Sequence, residues 1–344
     1  MVATLHHNAV PRTGNFYESS FRQLSDIQQK QVGLLVGAAI ADAAARALDG
    51  RTREEIAMLV ANEQGRKQDG DEDPLAFAHA GACLHGPGLL QWHSYTFLLA
   101  SQLLRVMASA RGELRVSYVK EKWVSTATAY PESFAGEHAS LLHVLGVMLP
   151  LSVSYPWTDD YTLRSYATPF IDFLTETPGG QRAPTRAATH VHVGSVLGVA
   201  LRCLQSNPDP YRNAALMAVP GSADVFPSDL SHLCPPSSTG ENIDLCARGE
   251  TASFPARPPL SDVIVVREAL SIARNARTFA DGVKEAIRLG GPTCQRSIIT
   301  GALLGACMGV RRIPISWLSA TRDHVPLVTQ ALQVAQWSWN PPNR

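Results

Sequence analysis

The sequence predicts an all-α protein, and three features point to that fold class. Stretches rich in Ala and Leu carry apolar residues at helical spacing, most clearly at 25–48 and 91–109. No segment alternates apolar and polar residues cleanly with period two, as a half-buried strand would. The one notable β-branched run, at 263–266, lies inside a helical periodicity. We therefore expect one compact domain built from helices.

The helices of the N-terminal half follow from these patterns in order. Ser25 is expected to cap the first long helix, because a serine hydroxyl can accept a hydrogen bond from the first turn. Thr158 is expected to cap a later helix in the same way. The predicted helices after the first are at 53–63, 91–109, 136–153 and 163–176.

The C-terminal half divides around a long irregular segment. Residues 206–260 are rich in Pro, Ser, Gly and Asp, and they are too many for an ordinary connection between helices. The expected domain spans 22–335, between a flexible arm at 1–21 and a tail at 336–344. The helices predicted on either side of the irregular segment are at 192–205, 261–276, 279–289, 294–310 and 313–321.

Composition excludes several classes of protein. Hydrophobic residues make up 45% of the chain and charged residues 17%, which excludes disorder of the low-hydropathy kind. Thirty basic and thirty acidic residues cancel, so no net charge attracts nucleic acid or an anionic membrane. No apolar run is expected to span a bilayer, and the N-terminus lacks the pattern of a secretory signal.

The six cysteines are scattered, without a CxxC pair or zinc-ligand spacing. Reduced cysteines of this kind are typical of a cytoplasmic protein, and we expect that location. The expected partners include no nucleic acid and no membrane, while the oligomeric state stays open.

Glycine recurs every fourth residue in two predicted helices, at Gly33 and Gly37, and again at Gly301, Gly305 and Gly309. Each glycine inside a helix costs about 1 kcal/mol relative to alanine. The repeats make sense if two helices meet backbone to backbone, or if a ligand approaches closely. Tight packing of helices is the simpler interpretation.

Residues 33–49 read GLLVGAAIADAAARALD. They resemble the opening helix of the ADP-ribosylglycohydrolase family, in which an acidic residue follows the Asp of Gly-Asp-Ala by seven positions; here these are Asp42 and Asp49. Residues 279–318 read FADGVKEAIRLGGPTCQRSIITGALLGACMGVRRIPISWL. They resemble the C-terminal signature, where Leu-Gly-Gly-Asp-Thr-Asp-Thr precedes a Gly-rich helix and an Ile-Pro-x-x-Trp-Leu segment.

Two shorter matches lie between these segments. Residues 189–192 read Thr-His-Val-His and resemble a Thr-His-x-His motif, and Pro150-Leu151 stands where the family has Pro-Leu. The resemblance implies a compact, multi-helix orthogonal bundle of the ADP-ribosylglycohydrolase type.

The family holds two magnesium ions with carboxylates from two loops, and this chain lacks those carboxylates. Ser94 and Tyr95 stand at the two acidic positions of the early loop, and Pro292 and Cys294 at those of the late loop. Proline offers no side-chain ligand, and a thiol is a poor ligand for a hard cation. Thr96 and Thr293 survive at their positions. We therefore expect no cofactor, although magnesium is expected for the family.

Thr158-Asp159-Asp160 offers one alternative set of acids. It could be a displaced metal loop, although a Thr followed by two acids is also a common helix start.

A subgroup of the family has lost the same acids and includes the J1 crystallins and the selenoprotein J group. The Ala-rich stretch at 41–45 and the cysteine at position 294 resemble that subgroup.

Two residues are candidates for catalysis. Asp49 could be a residual base, or it could mark a helix end and turn before Gly50. Cys294 at a helix N-terminus could be a reactive thiol, because the helix dipole favours the thiolate; alternatively it is a small residue filling a tight elbow.

Other residues are candidates for a remnant ligand cleft. Asp42 could line it or form a structural hydrogen bond to another helix. Trp92 could stack an adenine or belong to the core, and Arg296 could meet a phosphate or a carboxylate. His190 and His192 could line the cleft or lie at the surface. The full set is Asp42, Trp92, Ser94, Tyr95, Thr96, His190, His192, Gly290, Gly291, Thr293 and Arg296.

Three functional hypotheses follow. The first is an ADP-ribosylglycohydrolase-like protein with a degenerate dimetal site, non-catalytic and either structural or able to bind an ADP-ribose-like small molecule. The second is an active hydrolase that removes ADP-ribose from protein or a related glycoside. The third is a thiol redox protein using Cys294.

Overall fold

The structure is a computed structural model, and it describes residues 17–64, 75–77, 93–129, 141–175, 198 and 259–339. Over these residues the regular secondary structure is helical, and no strand occurs among them. The predicted all-α class is therefore confirmed. The predicted helix at 192–205, apart from Gly198, and positions 206–258 of the irregular segment lie outside the described residues.

The described α-helices are numbered here in chain order. Residues 17–22 are also helical, and short 3₁₀ helices follow α1 at Arg46–Leu48 and α9 at Val310–Arg312. The helices are α1 (Asp26–Ala45), α2 (Arg53–Gln64), α3 (Tyr95–Ser109), α4 (Val116–Ala129), α5 (Leu141–Ser154), α6 (Asp160–Thr175), α7 (Pro259–Asn275), α8 (Phe279–Arg288), α9 (Thr293–Met308), α10 (Ile315–Ala320) and α11 (His324–Trp339).

Helix α1 begins as predicted, at the Ser25 cap. The Ser25 side chain accepts a hydrogen bond from the backbone of Gln28, and the Gln28 side chain accepts one from the backbone of Ser25. This reciprocal pair satisfies two N–H groups that a helix start leaves without intrahelical partners. From Lys30 onwards every residue of α1 is buried.

The segment Asp26–Leu48 corrects the expectation that no run of the chain could span a bilayer. Its length of 23 residues and the mean hydropathy of 1.4 over its most apolar 18-residue window meet that requirement. The apolar window is entirely buried inside the protein, however. Because other helices cover all its faces, its composition is that of a core helix as much as that of a membrane span.

Helices α1 and α9 lie against each other at the centre of the fold, and their glycines form the contact. A Cβ atom placed at Gly305 would overlap the carbonyl oxygen of Gly33, and one at Gly301 would overlap that of Gly37. The two backbones therefore touch directly, which only glycine allows. Tight helix packing, rather than approach of a ligand, explains these glycine repeats.

Other helices surround this central pair. Helix α9 also packs against α5, α7 and α8, and α11 packs against α1, α3 and α5. Helix α3 lies against α4 and α5. This arrangement brings the N-termini of α3 and α9 close to α1, because both helices start beside its C-terminal half.

The predicted cap of α6 is wrong. Asp159, not Thr158, supplies the first-turn hydrogen bond, with its Oδ1 accepting from the Thr162 N–H at 2.8 Å. This bond lowers the pKa of the exposed Asp159 carboxyl. Thr158 is buried one residue earlier. The helix-start interpretation of Thr158-Asp159-Asp160 therefore explains Asp159, whose carboxylate caps α6.

The expected domain limits also differ from the structure at three points. The predicted arm at 1–21 includes Tyr17 and Phe21, which are helical and buried in the core. Helix α11 extends through Trp339 into the predicted tail, and buried Ser338 accepts a hydrogen bond from Gln31 at 2.8 Å. Helix α7 begins at Pro259, inside the predicted irregular segment, because proline fits the first turn of a helix.

Candidate functional site

The two candidate loops precede helices α3 and α9, and we call them the α3 elbow (residues 93–96) and the α9 elbow (residues 289–294). Both lie beside the end of α1. The α9 elbow is held by backbone bonds: the Gly50 N–H donates to the Gly291 carbonyl at 2.9 Å, and the Gly291 N–H donates to the Arg51 carbonyl at 2.6 Å.

The glycines of the α9 elbow are required by its backbone. Gly290 and Gly291 both have φ of 68°, a conformation that side chains other than glycine disfavour. A Cβ atom at Gly290 would also lie 2.6 Å from the backbone nitrogen of Arg53. Gly290 and Gly291 thus shape the elbow, while open space of at least 4 Å surrounds the added atom at Gly291.

Asp49 contacts the first turn of α9. Its Oδ1 accepts hydrogen bonds from the Cys294 N–H at 3.0 Å and from the Thr293 hydroxyl at 3.3 Å. The guanidinium of Arg46, whose side chain is fully buried, lies 3.9 Å from Oδ2. Since Pro292 at the N-cap position makes no side-chain cap bond, Asp49 caps α9 from another part of the chain.

Asp42 plays a similar part at the α3 elbow. It is fully buried, and its Oδ2 accepts from the Ser94 N–H at 2.8 Å and lies 3.2 Å from Nδ1 of His93. Its Oδ1 has no hydrogen-bond partner in the part of the chain that the structure describes. Asp42 therefore forms the structural hydrogen bond to another element that the sequence offered as an alternative.

The residues at the two early acidic positions are built into α3. Ser94 is its N-cap, and the Ser94 hydroxyl accepts from the Phe97 N–H at 3.3 Å. Tyr95 is buried, and that burial raises the pKa of its phenol to about 12. Thr96 is fully buried, with its methyl group packed against Gly146 of α5.

The thiol of Cys294 is enclosed by protein. Cys294 is fully buried, and its Sγ lies 3.8 Å from the carbonyl oxygen of Asp42. A dissolved oxidant or disulfide cannot reach it in this conformation, which argues against the thiol redox hypothesis. The alternative, a small residue filling a tight elbow, agrees with this geometry.

Arg296 meets a carboxylate in the structure. Its Nε donates to Glu268 of α7 at 2.9 Å, and its Nη1 donates to the carbonyls of Gly290 at 2.7 Å and Ala286 at 3.1 Å. The side chain is only 4% exposed. These bonds tie α7, the end of α8 and the α9 elbow together.

Two histidines near the elbows were not among the candidates drawn from the sequence. His93 packs on Phe97, with ring centroids 4.5 Å apart, in addition to its contact with Asp42. His143 of α5 lies 3.3 Å from the side-chain nitrogen of Gln295, and burial lowers its pKa to about 4. Neither histidine carries a local motif, so only the fold identifies these partners.

Three candidates from the sequence lie outside the residues that the structure describes: Trp92, His190 and His192. In the described ranges no group of three or more His, Cys, Asp or Glu side chains is placed to hold a metal ion.

The residues of the two elbows do not fit the magnesium ions that the family resemblance implies. Hard cations need several oxygen ligands, whereas Pro292 has none to offer and the Cys294 thiol faces a backbone carbonyl. The carboxylate oxygens of Asp49 already contact helix α9 and Arg46.

Comparisons with known proteins agree with this fold. Residues 251–341 match the family model described as ADP-ribosylglycohydrolase. Thirty-nine solved chains match the structure. One, titled "ADP-ribosylglycohydrolase-related protein complex", has a TM-score of 0.60 and 18% identity, and the match covers 92% of this chain and all of that one.

No curated protein matches the chain by sequence at the significance required. The family-model match is confined to residues 251–341. The neighbour, at 18% identity, shares the all-α fold of this chain.

Proposed function

We propose that this chain is an ADP-ribosylglycohydrolase-like protein with a degenerate dimetal site, and that it is non-catalytic. Within the family we place it in the subgroup that resembles the J1 crystallins and selenoprotein J. Its role is then structural, or it binds an ADP-ribose-type small molecule without hydrolysing it. The family match in the C-terminal quarter and the whole-chain fold similarity support the scaffold part of this proposal.

The observation that carries the proposal is the set of residues at the four acidic positions. Ser94 is engaged as a helix cap, Tyr95 is a buried phenol, and Cys294 is a buried thiol. Pro292 supplies no ligand atom. Each of the four positions is thus filled by a residue that fits the apolar or backbone surroundings of its elbow and provides no carboxylate.

The acids that remain beside the elbows also argue against hydrolysis. A general base must be within hydrogen-bond reach of the water that it activates. The Oδ1 of Asp49 already accepts from the first turn of α9, and its Oδ2 lies 3.9 Å from the buried Arg46 guanidinium. Asp42 is fully buried, so a substrate cannot reach it without a change of conformation.

Release of ADP-ribose tests the catalytic part of the proposal. The purified chain is incubated with mono-ADP-ribosylated protein and with O-linked ADP-ribose conjugates, in magnesium and in EDTA, beside an active family member as positive control. We expect no release above the no-enzyme blank under either condition. Release that depends on magnesium would contradict the proposal and support the active hydrolase instead.

A binding titration then separates the two non-catalytic roles. Isothermal titration with ADP-ribose, with and without magnesium, gives saturable heat if the chain is a binding protein. A protein that shows neither heat nor thermal stabilisation with ADP-ribose has the structural role.

A further inference from the structure

Two acids near the end of α1 each contact the start of a different helix. Asp42 lies in α1, and Asp49 follows the 3₁₀ helix Arg46–Leu48, seven residues later. Asp42 accepts from the backbone N–H of Ser94 at the start of α3, and Asp49 accepts from that of Cys294 at the start of α9. The same segment therefore holds both elbows.

Helix starts favour such partners for two reasons. The first backbone N–H groups have no acceptor inside their own helix, and the helix dipole places partial positive charge there. Helix α9 has no local acceptor for these N–H groups from its N-cap side chain, because the N-cap residue is Pro292 and makes no side-chain cap bond. The Asp49 carboxylate supplies the missing acceptor from 245 residues away along the chain.

Other contacts show that this junction is closed by protein groups. The loop at Gly50 and Arg51 and the loop at Gly291 exchange two backbone hydrogen bonds, at 2.9 and 2.6 Å. The buried Arg46 guanidinium lies beside Asp49 and offsets its negative charge. The negative charge of Asp49 is thus offset by the Arg46 guanidinium and the N-terminus of α9.

We propose that Asp42 and Asp49 form a cation-free staple that fastens the α3 and α9 elbows to α1. The inference rests on the proposed degeneracy of the metal site, and it assigns to both surviving acids a positioning role. Closure of the α9 elbow then depends on the Asp49 carboxylate and is indifferent to divalent cations.

The buried thiol of Cys294 is a local probe of that closure. Its backbone N–H is the Asp49 partner, so loss of the bond loosens the residue that carries the thiol. Full-length chains of Asp49→Ala, Asp49→Asn and wild type are treated with iodoacetamide under native conditions. Labelling of the peptide that contains Cys294 is followed by mass spectrometry, in magnesium and in EDTA. Glu121→Gln, a change at an exposed acid of α4, is the matched control.

We expect Asp49→Ala to label roughly ten- to a hundredfold faster than wild type, as loss of a charge-assisted hydrogen bond implies. Asp49→Asn should be intermediate, because its amide oxygen can still accept from the Cys294 N–H. Glu121→Gln should label at the wild-type rate, and magnesium should change none of these rates.

Wild-type labelling that slows in magnesium would overturn the staple, as would an unchanged rate in a folded Asp49→Ala chain. If Asp49→Ala does not fold, the labelling rate of Asp49→Asn and the comparison of magnesium with EDTA still test the staple.

Failure of the proposed function can be told apart from failure of the staple. ADP-ribose release in EDTA, with cation-insensitive labelling, would contradict the non-catalytic role and leave the staple intact.

Discussion

Asp49, Arg296 and His143 show how individual polar side chains are used beside the elbows. Asp49 caps a helix, Arg296 joins three elements, and His143 accepts from Gln295. Asp49 and Arg296 are candidates from the sequence for catalysis and ligand binding, whereas His143 is not. Their partners in the structure belong to the protein itself, so at this scale the expected consequences of mutation concern stability.

Arg296 should contribute strongly to stability, because it holds the carbonyls of Gly290 and Ala286 as well as Glu268. Arg296→Met should lower the free energy of unfolding by about 2–4 kcal/mol, since it leaves buried acceptors without a donor. Urea denaturation measures the loss. Arg288→Met, which removes an exposed arginine 3.3 Å from Glu285, is the control and should cost under about 1 kcal/mol. Equal effects of the two changes would contradict the buried role of Arg296.

His143 should make the fold sensitive to acid. Burial lowers its pKa to about 4, below the ordinary value of 6.5. As pH falls below 6.5, His143 becomes protonated in the unfolded chain but stays neutral in the folded chain. The free energy of unfolding therefore decreases until about pH 4. The loss from this group is roughly 3 kcal/mol at most.

Unfolding free energies at pH 7, 5.5 and 4.5 test this expectation. His143→Gln removes the titrating group, and its stability should decline less steeply than that of wild type over the same range. Parallel profiles for the two chains would show that His143 is not the group responsible.

At the scale of elements, the contact between α1 and α9 fixes the position of both elbows. The glycines at 33, 37, 301 and 305 let the two backbones touch. The C-terminal end of α1 therefore lies beside the N-terminal end of α9. Asp49 follows the end of one helix and Cys294 begins the other. The geometry of the site is therefore a consequence of the glycine pattern.

Gly305→Ala should be among the most damaging single changes in the chain. Its new methyl group would overlap the carbonyl oxygen of Gly33, which is backbone and cannot turn away. We expect a loss of about 3 kcal/mol or more, or failure to fold. Gly291→Ala is the comparison, because it has open space but a φ of 68°, and it should cost only about 1 kcal/mol. Thermal unfolding of both chains measures the difference, and a mild Gly305→Ala would contradict backbone contact.

At the scale of the whole molecule, the sequence was sufficient for the fold class and for most helices. Apolar periodicity predicts helices wherever one face must be buried, and the Ser25 cap was found from residue type alone. The predicted helices include neither α4 nor α11, although the buried residues of α11, among them Leu327, Val328 and Ala331, recur at helical spacing.

The site was less predictable, for a physical reason. Local sequence shows that Asp49 follows a helix and that Cys294 begins one, but their hydrogen bond joins residues far apart in the chain. The same holds for Asp42 with Ser94 and for His143 with Gln295. Such bonds are set by how the helices pack, and a single sequence carries no direct record of that.

Magnesium binding tests the central claim most directly, since the account holds that the two elbows no longer form a cation site. Isothermal titration of the full-length chain with magnesium chloride, corrected for dilution, should give no saturable heat at micromolar to millimolar concentrations. Stoichiometric binding of one or two magnesium ions, weakened in Asp49→Asn and unchanged in Glu121→Gln, would contradict the account.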